Sequence, residues 1–137
     1  MKTAIRALIV DDDSLVANSN AEILAEAGYH IVGISGGSDE ALRYAREMKP
    51  DIAILDINLG MGRDGIETAE LIRSFSHTAI LFVSGQLDAT TQNRVAAFRG
   101  AKFLQKPFWP ESLLRAAHEV LASRTPPPAD PTPKSSG

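Results

Sequence analysis

Ala7-Leu8-Ile9-Val10-Asp11-Asp12-Asp13 runs four aliphatic residues directly into three carboxylates. An aliphatic run without polar alternation reads as a strand covered on both faces, the habit of parallel sheets. Carboxylates at its end crowd at the C-terminal edge of the sheet, where open α/β sheets bind ligands. Two unit negative charges about 4 Å apart repel by roughly 4 kcal/mol at an effective dielectric near 20. A hard divalent cation is the usual reason to hold them together. The competing reading is that Asp12 or Asp13 caps a following helix.

Working outward, apolar runs alternate with segments of helical period. Ile5 to Val10 is the first strand, and Ser14 to Ala27 the first helix. Leu15, Val16, Ile23, Leu24 and Ala27 form its stripe, closed by Gly28 at C′. His30 to Ser35 is a second strand. Ser38 opens a helix with Ala41, Leu42, Ala45 and Met48 inward, which Pro50 stops. Ile52 to Asp56 is the third strand, again ending in a carboxylate, and Asp64 to Phe75 the third helix, with Ile66, Ala69 and Ile72 inward. Ala79 to Val83 and Lys102 to Gln105 are the last strands. Ala89 to Arg99, stopped by Gly100, and Pro110 to about Ala122 are the last helices. Five strand-helix repeats predict an α/β fold: a five-stranded parallel sheet with helices on both faces.

Residues 1–123 form the expected domain, and 124–137 a proline-rich flexible tail containing Pro126-Pro127-Pro128, Pro131 and Pro133. The tail reads as an inert terminus in preference to a ligand for proline-binding modules. A chain of 137 residues can bury roughly two-thirds of its unfolded surface, so one domain is expected. With no cysteine, disulfides and thiolate chemistry are excluded. No apolar stretch approaches a membrane span, and nothing resembles a signal peptide. A net charge of -3 without a Lys/Arg cluster argues against nucleic-acid binding. A soluble cytoplasmic protein is the expectation.

Strands one, three, four and five end in Asp11-Asp12, Asp56, Ser84 and Lys106, which a parallel sheet brings to one edge. Carboxylates, a hydroxyl and an ammonium together suit phosphoryl chemistry. The acids hold Mg²⁺, the cation and Lys106 neutralise the transferring oxygens, and Asp56 is placed as nucleophile.

Ile9-Val10-Asp11-Asp12-Asp13, Leu55-Asp56-Ile57-Asn58-Leu59, Val83-Ser84-Gly85 and Lys106-Pro107-Phe108 resemble the signature blocks of the receiver domain of two-component response regulators. The resemblance covers residues 4–122 and implies a flavodoxin-like (βα)5 fold. It implies Asp56 as phospho-acceptor, Asp12 as a direct Mg²⁺ ligand, Asp11 acting through a metal-bound water, and Asn58 offering its backbone carbonyl. It further implies that Ser84 and Lys106 bind phosphoryl oxygens, that Gly85 leaves the acceptor accessible, and that Phe103 is a switch aromatic. Lys106-Pro107 would be cis, although sequence alone favours trans. The implied partners are a sensor histidine kinase or histidine phosphotransfer protein, a downstream protein, and a second copy. The last two would use the face of the fourth helix, fifth strand and fifth helix, which carries Arg94, Arg99 and Lys102.

Several residues have plainer readings. Asp13 caps the first helix. Phe103 is first of all a core aromatic. His30, His77 and His118 have no metal-ligand spacing, and Trp109 staples the last helix. The segment Leu59-Gly60-Met61-Gly62-Arg63-Asp64-Gly65 departs from the family pattern, having glycine where a proline is common and one extra residue. Gln86 lies where side chains influence hydrolysis of the acyl phosphate. With no output domain expected after residue 122, a stand-alone receiver is the first reading. A receiver cut from a longer chain such as a hybrid kinase is the second. A Mg²⁺-dependent phosphatase of haloacid-dehalogenase type is a distant third, because Asp56 is followed by Asn58 at the Asp-x-Asp spacing.

Overall fold

The computed structural model describes residues 4–86 and 88–124. Their elements run β1 (Arg6–Val10), α1 (Ser14–Glu26), β2 (His30–Ser35), α2 (Ser38–Met48), β3 (Ile52–Asp56), α3 (Gly65–Phe75), β4 (Ala79–Ser84), α4 (Ala89–Ala96), β5 (Lys102–Gln105) and α5 (Pro110–Ala122). All strand pairs are parallel, in the order β2-β1-β3-β4-β5. Side-chain alternation along each strand divides the core in two. Ala7, Ile9, Ile52, Ile54 and Leu81 meet Ala17 and Leu24 of α1 and Leu113, Ala117 and Val120 of α5. Leu8, Val10, Ala53, Leu55 and Phe82 meet Ala41 and Ala45 of α2 and Ile66, Ala69 and Ile72 of α3. The expected α/β sandwich is therefore present.

Small residues set the depth at which helices seat. Ala17, Ala21, Ala41, Ala45, Ala69, Ala116 and Ala117 are buried where α1, α2, α3 and α5 cross the sheet. The helix α4 differs, because it buries no residue. Its apolar contacts are the half-buried Val95 and, just beyond it, Phe98, whose ring stands edge-on to Phe82 at 5.3 Å.

Some boundaries and faces differ from the sequence reading. Leu15 was expected inward but is 82% exposed, and the buried arc of α1 is Ala17, Asn20, Ala21 and Leu24. Asp13 accepts from the Leu15 and Val16 amides, which starts the helix at Ser14, and at 100° per residue Leu15 then lies on the side opposite the buried arc. Asp64 is likewise a cap, so α3 starts at Gly65. The helix α4 ends at Ala96 because the Phe98 amide bonds back to Val95 and Gly100 adopts φ +79°. Trp109 is 76% exposed and staples nothing; Phe108 packs against the α1–α5 cluster instead. Gly28 has the expected positive φ of 101°. The proline segment lies outside the described residues, and among those described no helix is long and apolar enough to cross a membrane.

Candidate functional site

Register carries the chemistry to one edge. Val10 lies opposite Leu55, Asp56 opposite Val83, and Ser84 opposite Gln105, so Asp11, Asp56, Ser84 and Lys106 follow one another across the strand ends. One carboxylate oxygen each from Asp11, Asp12 and Asp56 lies within 4.8 Å of the others. Asp11 and Asp56 are 2% and 5% exposed, whereas Asp12 is open to solvent. The Lys106 ammonium donates to Asp11 Oδ2 at 2.8 Å and sits 3.3 Å from Asp56 Oδ2. The Asn58 amide donates to Asp56 Oδ1 at 3.2 Å.

The electrostatics follow from this crowding. Burial, then the neighbouring Asp11 charge, push the Asp56 carboxyl up to about 6, against the pull of Lys106 and the Asn58 amide. Burial opposes charge on Lys106 as well, but its hydrogen bonds and attraction to Asp11 and Asp56 win and raise it above the ordinary lysine value. Three carboxylates thus face one ammonium. Hard oxygen donors with unbalanced negative charge are the donor set Mg²⁺ takes, so these residues fit that ion.

The remaining expected residues are placed as follows. Ser84 is fully buried, and its hydroxyl donates to the Gln86 carbonyl at 2.7 Å while accepting the Gln86 amide at 3.2 Å. Asn58 is exposed one residue beyond the buried Ile57. Phe103 is half-buried in the α2–α3 core cluster, in register with Phe82. The Lys106-Pro107 bond is cis, unlike the sequence-only default. Asp13 caps α1 and its amide donates to Asp11 Oδ1 at 2.9 Å, which helps orient that carboxylate. The histidines join no cluster able to hold a metal among the described residues.

Two features escaped the sequence reading. A side chain at Gly65 would collide with the Asp56 carbonyl, so the first residue of α3 lies directly on the Asp56 backbone. Arg94, read as a surface charge of the α4 face, forks onto Asp64 at 2.7 and 3.2 Å. An Asp-Gly pair before a helix signals the first; nothing local signals the second, which joins residues 30 apart.

Comparison with known proteins agrees with this arrangement. Residues 7–118 match the family described as response regulator receiver domain. A transcriptional regulatory protein of Mycobacterium tuberculosis, PdtaR, is 36% identical over 87% of this chain, which spans 57% of that relative. The chemotaxis protein CheY of Thermotoga maritima is 31% identical, with 84% of this chain and 96% of the relative covered. Among solved structures, the signal receiver domain of a modulated diguanylate cyclase from Desulfovibrio desulfuricans G20 superposes with TM-score 0.80 at 30% identity, covering 88% of this chain and 95% of that one. A CheY-like receiver domain from Methanospirillum hungatei gives the same TM-score at 27% identity, with the same coverage of both chains. By fold, strand-end register and sequence, this chain belongs to the response regulator receiver domains of two-component signalling.

Proposed function

We propose that Asp56 accepts a phosphoryl group from a phosphohistidine on a sensor histidine kinase or histidine phosphotransfer protein. The observation that carries this reading is the ammonium of Lys106 held against both Asp11 and Asp56 inside a three-carboxylate cluster. Asp56 attacks phosphorus through a carboxylate oxygen, the bond to the histidine nitrogen breaks, and an acyl phosphate forms. Lys106 moves with the growing charge, exchanging its 3.3 Å approach to Asp56 for a phosphoryl oxygen. Ser84 binds another oxygen, for which its hydroxyl must leave the Gln86 carbonyl. Asp12 directly, Asp11 through a water, Asp56 and the Asn58 backbone carbonyl would hold Mg²⁺. The ion, when bound, supplies neutralisation of the transferring oxygens.

The donor protein approaches over a rim of apolar side chains. Leu15, Met61 and Trp109, the most exposed large hydrophobic residues described, all lie on segments that follow strand ends of this edge. Beside them a groove of about 480 Å³ runs between α1 and the Lys106-Pro107-Phe108 segment. Loss of the Ser84–Gln86 turn then alters α4, β5 and α5, with Phe103 turning inward. That face passes the signal to a downstream protein or a second copy. Residues 1–123 act as the domain and 124–137 as an appended tail. The chain catalyses only its own phosphorylation and dephosphorylation.

Incubation with Mg²⁺ and acetyl phosphate, followed by intact mass, tests the reading. The protein gains one phosphoryl mass and Asp56→Asn gains none. Continuous turnover of phosphate esters, or no mass gain, overturns it.

A further inference from the structure

The helix α4 is held in an unusual way. Burying no residue, it lacks the seating that alanines give the other helices. Two of its polar attachments bear on the strand-end segments around the site. One is the Ser84–Gln86 turn just before its N-terminus. The other is the fork from Arg94 to Asp64. Asp64 is itself tightly held. It caps α3 by accepting the Glu67 amide at 2.8 Å, while its own amide donates to Glu67 Oε1 at 3.0 Å. Next to it, the Gly65 amide donates to the Ile57 carbonyl at 2.8 Å, and the glycine lies against the Asp56 carbonyl. A bidentate guanidinium–carboxylate pair is among the strongest and most directional polar contacts available.

We infer that Arg94 is a positioning residue which ties α4 to the backbone of the acceptor strand through Asp64, and that phosphorylation of Asp56 works against this fork to release α4. The inference rests on Asp56 being the acceptor. When the Ser84 hydroxyl turns toward the phosphoryl group, the Gln86 carbonyl loses its donor and α4 is displaced at its N-terminus. The fork, fixed at Asp64 by the cap and by Gly65, resists that displacement until it breaks. Asp64 is held below the ordinary aspartate value because hydrogen bonds from Arg94 and the Glu67 and Ile66 amides outweigh its burial. The carboxylate therefore stays charged and able to hold Arg94.

Hydrogen–deuterium exchange of residues 89–96 in the full chain, with and without Mg²⁺ and acetyl phosphate, tests this alongside intact mass. In the unmodified protein, Arg94→Gln raises exchange of 89–96 about tenfold, the equivalent of one lost charge-assisted hydrogen bond. Phosphorylation raises the same amides in wild type and adds little in the variant, although both gain the phosphoryl mass. Asp64→Asn, which keeps a capping oxygen but loses the charge, behaves like Arg94→Gln without unfolding α3. Arg94→Lys restores part of the protection. Unchanged exchange in Arg94→Gln, or an undiminished response to phosphorylation, overturns the inference. A wild type that gains no mass instead contradicts the acceptor assignment, and the coupling falls with it.

Discussion

Asp56 carries an electrostatic cost that it would not meet in the unfolded chain. Its folded value near 6 exceeds the ordinary 3.8, so between these the folded state binds a proton the unfolded state has released. Stability of the metal-free protein therefore falls as pH rises through that window. Asp56→Asn removes the buried charge, and urea denaturation at pH 7 without metal gives a variant more stable by about 1–2 kcal/mol. The difference vanishes below pH 4. Lys106→Met has the opposite effect, since it leaves Asp11 and Asp56 unpaired, and costs about 2–4 kcal/mol in the same measurement. Gly65→Ala tests the contact with the Asp56 backbone. A methyl group there must displace the Asp56 carbonyl or α3, and thermal denaturation shows a loss of about 1–3 kcal/mol.

At the scale of elements, what could be read in advance depended on whether a signal was local. The buried strands were legible because β3 and β4 bury every residue and so read as unbroken apolar runs. The strand-end carboxylates and Ser84 were legible for the same reason, each sitting where an apolar run stops, whereas Lys106 follows the polar-ended β5 and was legible only through its Lys-Pro-Phe block. Asp13 was legible as the cap before α1, whereas periodicity placed Asp64 inside its helix when it belongs before it, and Leu15 faces solvent because it lies opposite the buried arc of α1. The Arg94–Asp64 fork was illegible because it joins two helices through tertiary placement, with no spacing rule between them. These differences are measurable. Leu15→Ser changes stability by no more than about 0.5 kcal/mol, whereas Leu24→Ala in the same helix costs about 2–5 kcal/mol by chemical denaturation. Asp64 has a depressed folded value, so its contribution is present above the unfolded value of 3.8 and is lost as pH falls below it. Asp64→Ala removes that acid sensitivity and costs about 1–2 kcal/mol at pH 7 through the cap.

For the whole molecule, parallel register turns separated segments into a site: residues 11, 56, 84 and 106 meet because four strands end together. One end of the sheet is acidic, while the strands β1, β3 and β4 beneath it are covered on both faces. On the proposed reading, phosphorylation acts at the rim and reaches α4 without disturbing the core. The claim that most of this depends on is the identity of the acceptor, and borohydride trapping of the acyl phosphate followed by peptide mapping tests it most directly. After treatment with Mg²⁺ and acetyl phosphate, the account predicts reduction at Asp56 and at no other carboxylate. Reduction at Asp11 or Asp12, or none anywhere, would contradict it.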